Sequence, residues 1–418
     1  MRIAMFMPAL GPTALGWKVH QDFAAAVERL GHSFTLLTTP SPSAPGDQLA
    51  PPTNAGSHAP AEAAATVLAV PPNSRLWGKL GRPVFRTAGL LPAAAALTGY
   101  LRTHGDDIDL LHIEVAYPHG AAGALATVRS GWRGPVAVTP MGEDILVVRD
   151  RSYGMRRYPA PARLVNWTLR RAAALRCISP LAERQIAALS PHNPRRVIPL
   201  NISDEAAAAT AMSGDERGRF RAAARAKLDD EFGTAGRPIV LSFGRLHPFK
   251  GLDYLVDAAA SIGDATVLII GPSLSLKRIG DVASALRRKA EAMGVSDKVN
   301  IAGSVPPSRA LEVLAAADVV VVPSPLESLN KVCMEAATVG TPFVVTETTG
   351  IAAWVPDEGV GIVVPPRNPT MLAWAIEEIL EDHFDFDAGA ATRFAERFFP
   401  NRVAAEVMEF YEDATSGR

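Results

Sequence analysis

The stretch that decides the fold is Val319-Val320-Val321-Val322-Pro323-Ser324-Pro325-Leu326-Glu327-Ser328-Leu329-Asn330-Lys331-Val332-Cys333-Met334-Glu335-Ala336-Ala337. Four consecutive valines make a strand that is apolar on both faces, as in a parallel sheet covered by helices on either side. Pro323 and Pro325 stop it, and helical spacing resumes at Lys331. Glu327 falls in the loop and Glu335 on the helix. Between them lies a helix N-terminus with unpaired N–H groups. A loop carboxylate can grip sugar hydroxyls, and one on the early helix can hold a diol. The plainer roles are an N-terminal cap for Glu327 and a solvated position for Glu335. Val332-Cys333-Met334 and Ala336-Ala337 flank Glu335 with apolar residues, which argues for burial.

The same strand–loop–helix rhythm extends in both directions. In the second half, strands are expected at residues 239–243, 266–270, 299–301, 319–322, 343–345 and 361–363, and helices at 252–261, 281–293, 309–316, 331–339 and 370–380. In the first half, strands are expected at 3–7, 34–37, 66–70, 108–113, 136–139, 175–178 and 197–198, and helices at 18–30, 90–102 and 119–128. The alternation implies an α/β protein with two doubly wound, Rossmann-like parallel-sheet domains facing across a cleft. We place the domains at residues 1–203 and 204–400, with a C-terminal helix (401–418) that can pack back on the first. Residues 206–209 and 212–214 read as linker, 220–231 as a short helix, and the Pro/Ser/Ala-rich stretch 40–60 as a loop.

Composition narrows the function. The 418 residues carry 42 Lys plus Arg against 43 Asp plus Glu, a formal net charge of −1, which argues against a nucleic-acid partner. Two cysteines cannot form a disulfide framework, so a reducing, cytoplasmic setting is expected. The apolar run at the N-terminus stops at Pro8 and reads as a strand, not a leader, and no stretch reads as a membrane span. No feature sets an oligomeric state.

Upstream of the quoted stretch, strand 239–243 is followed by Gly244-Arg245-Leu246-His247-Pro248-Phe249-Lys250-Gly251 and a helix. A guanidinium fork and an ammonium at a strand-to-helix turn suit a diphosphate, though a solvated surface turn would look the same.

The ordered set Arg245, Lys250-Gly251, Gly271, Gly303, Ala317-Asp318, Pro323-Ser324, Glu327, Glu335-Ala336 and Gly340-Thr341-Pro342 resembles the donor half of the retaining GT-B glycosyltransferases, and more narrowly glycosyltransferase family 4. The resemblance spans about residues 238–380. It implies a sugar transferred from a nucleoside-diphosphate donor, with a UDP-sugar favoured, to an acceptor hydroxyl or amine. The anomeric configuration would be kept, without a metal or a tightly bound cofactor. It implies Arg245 and Lys250 on the diphosphate, Glu335 on the ribose and Glu327 on the donor sugar. Backbone N–H groups of Leu329, Asn330 and Lys331 would cap sugar and phosphate, and the base would lie near Gly303 and Val305. The family usually has Gly-Phe-Gly where this chain has Ser328-Leu329-Asn330. Asn330, tolerant of positive φ, is expected to preserve that loop.

In the first domain, the resemblance implies Gly16 as the glycine whose backbone meets the donor phosphate, and Gly11 and Gly16 equally read as ordinary loop glycines. His112, Glu114 and His119 lie at and just beyond the end of strand 108–113. Of these, His119 is expected to line the cleft, and Glu114 stands where the family often has a second histidine. Asp144 is expected either to orient a donor or acceptor hydroxyl, the acceptor first, or to cap a helix. From Arg149 to Arg176 there are eight arginines and a single acid, Asp150. That stretch suits an acidic acceptor or an anionic membrane, or is simply a solvated helix face. Three other readings remain at this stage: a transferase using Asp107 and Asp109 as a metal pair, a sugar-nucleotide epimerase, and a non-catalytic sugar-nucleotide binder. The aspartates precede a strand rather than follow it, which disfavours the first.

Overall fold

The structure, a computed structural model, describes residues 1–8, 15–39, 66–70, 79–80, 82, 84–234, 236–276, 279–356 and 359–416. The loop expected at residues 40–60 lies outside these. The chain divides into two compact units, Met1–Asn201 with Pro400–Arg418, and Ile202–Phe399.

The first unit is built on seven parallel strands: β1 (Arg2–Phe6), β2 (Ser33–Thr38), β3 (Thr66–Val67), β4 (Leu110–Glu114), β5 (Val136–Thr139), β6 (Ala174–Cys177) and β7 (Arg195–Val197). Their order is β3-β2-β1-β4-β5-β6-β7, so the winding reverses between β1 and β4. Alternate residues of β1 feed two cores. Ile3 and Met5 pack with Phe23, Val27, Val403 and Tyr411, whereas Ala4 and Phe6 pack with Leu97, Leu101 and Ala122. The last helix, Pro400–Ser416, thus covers the same sheet face as the helix Leu15–Arg29, and Arg29 donates to Asn401 Oδ1 at 2.7 Å.

The second unit has β8 (Ile239–Phe243), β9 (Thr266–Ile270), a short antiparallel pair β10 (Ser275–Leu276) and β11 (Gly280–Asp281), then β12 (Val299–Ala302), β13 (Val319–Val322), β14 (Phe343–Thr346) and β15 (Gly361–Val364). The main sheet runs β12-β9-β8-β13-β14-β15, all parallel, with its reversal between β8 and β13.

The segment expected as linker is helical. Ser203 caps Asp204–Ala209, its Oγ accepting from Ala206 N at 3.1 Å. A reciprocal capping box between Ser213 and Glu216 opens Gly214–Phe232, which starts well before the expected residue 220. The Ser213-Gly214-Asp215-Glu216 signature was present in the sequence. Helices at Pro159–Arg171, Pro180–Leu189 and Ala388–Glu396 add to those expected.

Candidate active site

In an open parallel sheet, ligands bind beyond the carboxyl ends of the strands where the winding reverses. In the second unit that place is the pair of loops after β8 and β13. β8 leads through a short turn, Pro248–Lys250, into the helix Leu252–Ala258. Gly251 joins the two with φ +68°, and a Cβ there would lie 2.2 Å from the Pro323 carbonyl oxygen. The glycine therefore lets the β8 loop press directly on the β13 loop. That contact delivers Lys250 Nζ to the Glu327 carboxylate, forming a hydrogen-bonded ion pair.

Glu327 is held from every side. Its N–H donates to Thr348 O at 3.2 Å, and its carbonyl accepts from Gly350 N at 2.8 Å, which pins the β13 loop to the loop after β14. Lys250 takes Oε1, while Oε2 accepts from Ser324 Oγ at 2.8 Å and Asn330 Nδ2 at 3.2 Å. Asn330 Oδ1 in turn accepts from Cys333 N at 3.3 Å, so Asn330 is the N-cap of the helix Lys331–Thr338. The expected positive φ is absent: Asn330 has φ −135° and ψ 114°, the extended geometry that N-cap residues adopt.

Arg245 is exposed and lines a pocket with Lys250, Ser324 and Asn330. Glu335, on the second turn of the helix, is 3% exposed. Burial pushes its carboxyl above the ordinary range, and Lys331 only partly offsets this. Leu329 is buried and Lys331 half-buried. Gly303 follows the edge strand β12, its carbonyl accepting from Gly271 N at 3.2 Å, and Val305 is half-buried just beyond. The structure thus gathers Lys250, Glu327 and Asn330 into one network and sets Arg245 beside it. Glu335 lies on the helix that Asn330 caps, and Gly303 and Val305 lie at the carboxyl end of the sheet edge.

In the first unit, the reversal between β1 and β4 holds Glu114. Its two oxygens lie 3.0 and 3.1 Å from His20 Nε2, a partner that sequence reasoning missed. His20 sits on the helix Leu15–Arg29, one turn after Gly16, whose carbonyl oxygen is 2.5 Å from His20 Nδ1. Burial pushes the Glu114 carboxyl up, but His20, His112 and Arg176 together outweigh it and hold it at about 2. Val115 follows with φ +72°, a conformation a β-branched residue adopts only when its surroundings impose it.

His119 packs its ring 5.3 Å from Phe6, with Nδ1 buried and unpaired, and burial pushes it down to about 4. His112 is fully buried, donates or accepts through Nε2 with Thr139 Oγ1 at 2.8 Å, and is pushed down to about 3 by burial and Arg176. Asp144 has a structural job. Its carboxylate accepts from the backbone N–H groups of Ala116, Met141 and Gly142, tying the β5 loop to the turn after β4. Three amides occupy it, which accounts for its burial better than a role in orienting an acceptor hydroxyl.

The arginine-rich stretch is not one surface. Arg176 is buried in β6 and donates to Ile198 O at 3.1 Å, and Arg156 is half-buried with Ile145 O at 3.1 Å. Arg149, Arg163, Arg170 and Arg171 are exposed. Asp107 and Asp109 both face Arg2, at 3.4 and 2.8 Å, where β4 begins. No helix among the described residues is long and apolar enough to cross a membrane.

Comparison with known proteins agrees with this layout. Residues 225–397 match the family described as glycosyl transferases group 1, and residues 16–201 match the glycosyl transferase 4-like domain. An alpha-D-kanosaminyltransferase of Streptomyces kanamyceticus is 32% identical over 164 residues, 38% of this chain and 41% of that protein. A D-inositol 3-phosphate glycosyltransferase of Nocardia farcinica is 34% identical over 209 residues, 48% of this chain and 46% of that one. These matches span less than half the length of either relative. Among solved structures, sucrose-phosphate synthase from Thermosynechococcus elongatus superposes over 100% of both chains, with a TM-score of 0.74 at 21% identity. Anabaena HepE in complex with UDP-glucose covers 99% of this chain and 100% of its own, with a TM-score of 0.72 at 18% identity. The chain belongs to the GT-B glycosyltransferases of the family 4 type.

Proposed function

We propose that this chain is a retaining, metal-independent glycosyltransferase that moves a sugar from a nucleoside diphosphate, a UDP-sugar first, to a hydroxyl or amine of a small acceptor. The observation that carries the reading is the Lys250–Glu327 pair beside Arg245, at the winding reversal of the second sheet. Cations fixed at that place stabilise the charge that grows on a departing diphosphate.

In this reading the acceptor oxygen attacks the anomeric carbon on the face from which the diphosphate leaves. The carbon–oxygen bond to the diphosphate breaks as the new one forms, and the acceptor proton passes to the departing phosphate oxygen. The protein needs no nucleophile of its own. Arg245 and Lys250 hold the diphosphate, Glu327 a hydroxyl of the sugar and Glu335 the ribose. Leu329, Asn330 and Lys331 offer backbone N–H groups, and Gly303 and Val305 flank the base. Gly16 would add a backbone contact to the phosphate, and Glu114 and His119 would face the acceptor. The exposed arginines at 149, 163, 170 and 171 suit an acidic acceptor or an anionic membrane. A cytoplasmic setting belongs to the same reading, because Cys177 and Cys333 are free and buried.

The test is a panel of UDP-, GDP- and ADP-sugars. Thermal stabilisation ranks the nucleotide, and proton NMR of the product reports whether the anomeric configuration is kept. An inverted product rejects the mechanism, and stabilisation by none of the panel rejects the donor.

A further inference from the structure

The Asn330 side chain bridges two jobs. Its orientation follows from its partners: Cys333 offers an N–H and so faces the amide oxygen, whereas the Glu327 carboxylate accepts and so faces the amide nitrogen. One side chain therefore starts the helix Lys331–Thr338 and fixes a carboxylate in the β13 loop. Asn330 is 6% exposed and Ser324 is fully buried, so both donors are largely shielded from bulk water.

The count of donors around Glu327 matters. A carboxylate offers about four lone-pair sites. Lys250 occupies Oε1, while Ser324 and Asn330 share Oε2. Roughly one acceptor site remains. A carboxylate with all four sites open could chelate two neighbouring hydroxyls, or rotate to follow either.

We propose that Asn330, together with Ser324, is the specificity-determining clamp of the donor-sugar site, locking Glu327 so that it reads a single sugar hydroxyl. This rests on the reading of Glu327 as the residue that meets the donor sugar. The clamp makes the site sensitive to the position of that hydroxyl. A sugar whose hydroxyl is inverted leaves the last acceptor site of Glu327 unpaired, and leaving a charged acceptor unpaired in a partly desolvated site is costly.

The test is calorimetric binding of UDP, UDP-glucose and its C4 epimer UDP-galactose to the wild type, Asn330→Asp, Asn330→Ser and Ser324→Ala. Asp and Ser both keep an N-cap oxygen for Cys333, so the helix start survives while the amide donor to Glu327 is gone. Unchanged circular dichroism verifies this. The wild type is expected to separate the two epimers by about tenfold, the size of one charge-assisted hydrogen bond. Asn330→Asp and Asn330→Ser should bring that ratio close to one, and Ser324→Ala should lower it. The same ratio in wild type and Asn330→Asp overturns the clamp, as does a wild type that binds both epimers equally. A wild type that binds neither sugar nucleotide nor UDP overturns the donor reading instead.

Discussion

Lys250 and Glu327, 77 residues apart in the chain, meet as a hydrogen-bonded ion pair between the loops after β8 and β13. Their side chains are 21% and 12% exposed. Each therefore neutralises the other in a partly desolvated place. A diphosphate arriving there competes with Glu327 for the ammonium, and a sugar hydroxyl takes the acceptor site that Lys250, Ser324 and Asn330 leave open on the carboxylate.

Two substitutions separate those effects. Lys250→Ala should lower turnover by about 10²–10³-fold, the usual loss when one preorganised donor to a developing oxyanion is removed. It also strands Glu327 without its countercharge, so UDP should bind more weakly. Glu327→Gln keeps the shape and frees the ammonium, so UDP should bind at least as tightly as to the wild type while turnover collapses. Titration calorimetry with UDP and a UDP-release assay check both. Weaker UDP binding by Glu327→Gln would contradict the competition.

Glu335 sets function against stability. Burial raises its carboxyl pKa, so the folded state holds a proton more readily than the unfolded chain does. The sign follows directly: above the unfolded value, ionised Glu335 costs stability, and the cost is relieved as the pH falls. Glu335→Gln removes a buried charge without changing the shape. At neutral pH it should raise the melting temperature of the unliganded protein and weaken UDP binding by about tenfold, the value of a charged hydrogen bond. Differential scanning fluorimetry with and without UDP reads both. A lower melting temperature without ligand would show that Glu335 is satisfied inside the protein.

The strands were legible because they are short apolar runs that a parallel sheet buries on both faces. Residues 239–243, 266–270 and 319–322 are strands to the residue. The approach of Lys250 to Glu327 was legible only as a motif. The geometry that produces it depends on Gly251 touching Pro323, a contact no local pattern reports. Asn330 was misread because both an N-cap and a left-handed turn favour asparagine, and the choice was made by Glu327 and Cys333. His20 gave no signal at all. Its partner Glu114 is 94 residues away, and packing of the first helix against β4 decides their meeting. Asp144, which the sequence left open between a hydroxyl partner and a helix cap, has its carboxylate taken up by three backbone amides, two of them within three residues of it and one from the turn after β4.

Gly251→Ala tests how the two loops are held together. The methyl group meets a carbonyl oxygen at 2.2 Å and the backbone is left-handed, with φ +68°. The left-handed conformation alone costs a non-glycine residue about 1 kcal/mol, and relieving the clash must move Pro323 away. Chemical denaturation should show a loss of about 2 kcal/mol or more. Because Ser324 and Glu327 follow Pro323, UDP-sugar binding should weaken along with stability. An alanine variant with wild-type stability and binding would mean that the loops are not in contact.

Acid should loosen the first unit before the second, and His112 is the reason. Burial and Arg176 push it down to about 3 from an ordinary value of 6.5, and Glu114 only partly opposes them. His119 is pushed down to about 4, again chiefly by burial, with Glu114 opposing. Both rings are therefore neutral in the folded state at pH 5, where the unfolded chain protonates them. The unfolded state then binds more protons, so stability is full above about pH 6.5 and is lost as the pH falls towards 4. Each proton taken up on unfolding costs about 1.4 kcal/mol per pH unit. Glu114 adds to the loss only lower down, between its ordinary value of 4.5 and about 2. The groups that oppose a charge on His112 are Arg176, buried in β6, and His20, on the first helix. Urea denaturation at pH 7, 6 and 5 should show the first unit losing stability through this window. His112→Gln, which cannot take up the proton, should flatten the slope by about one proton. An equal slope in wild type and variant would place the acid sensitivity elsewhere in the molecule.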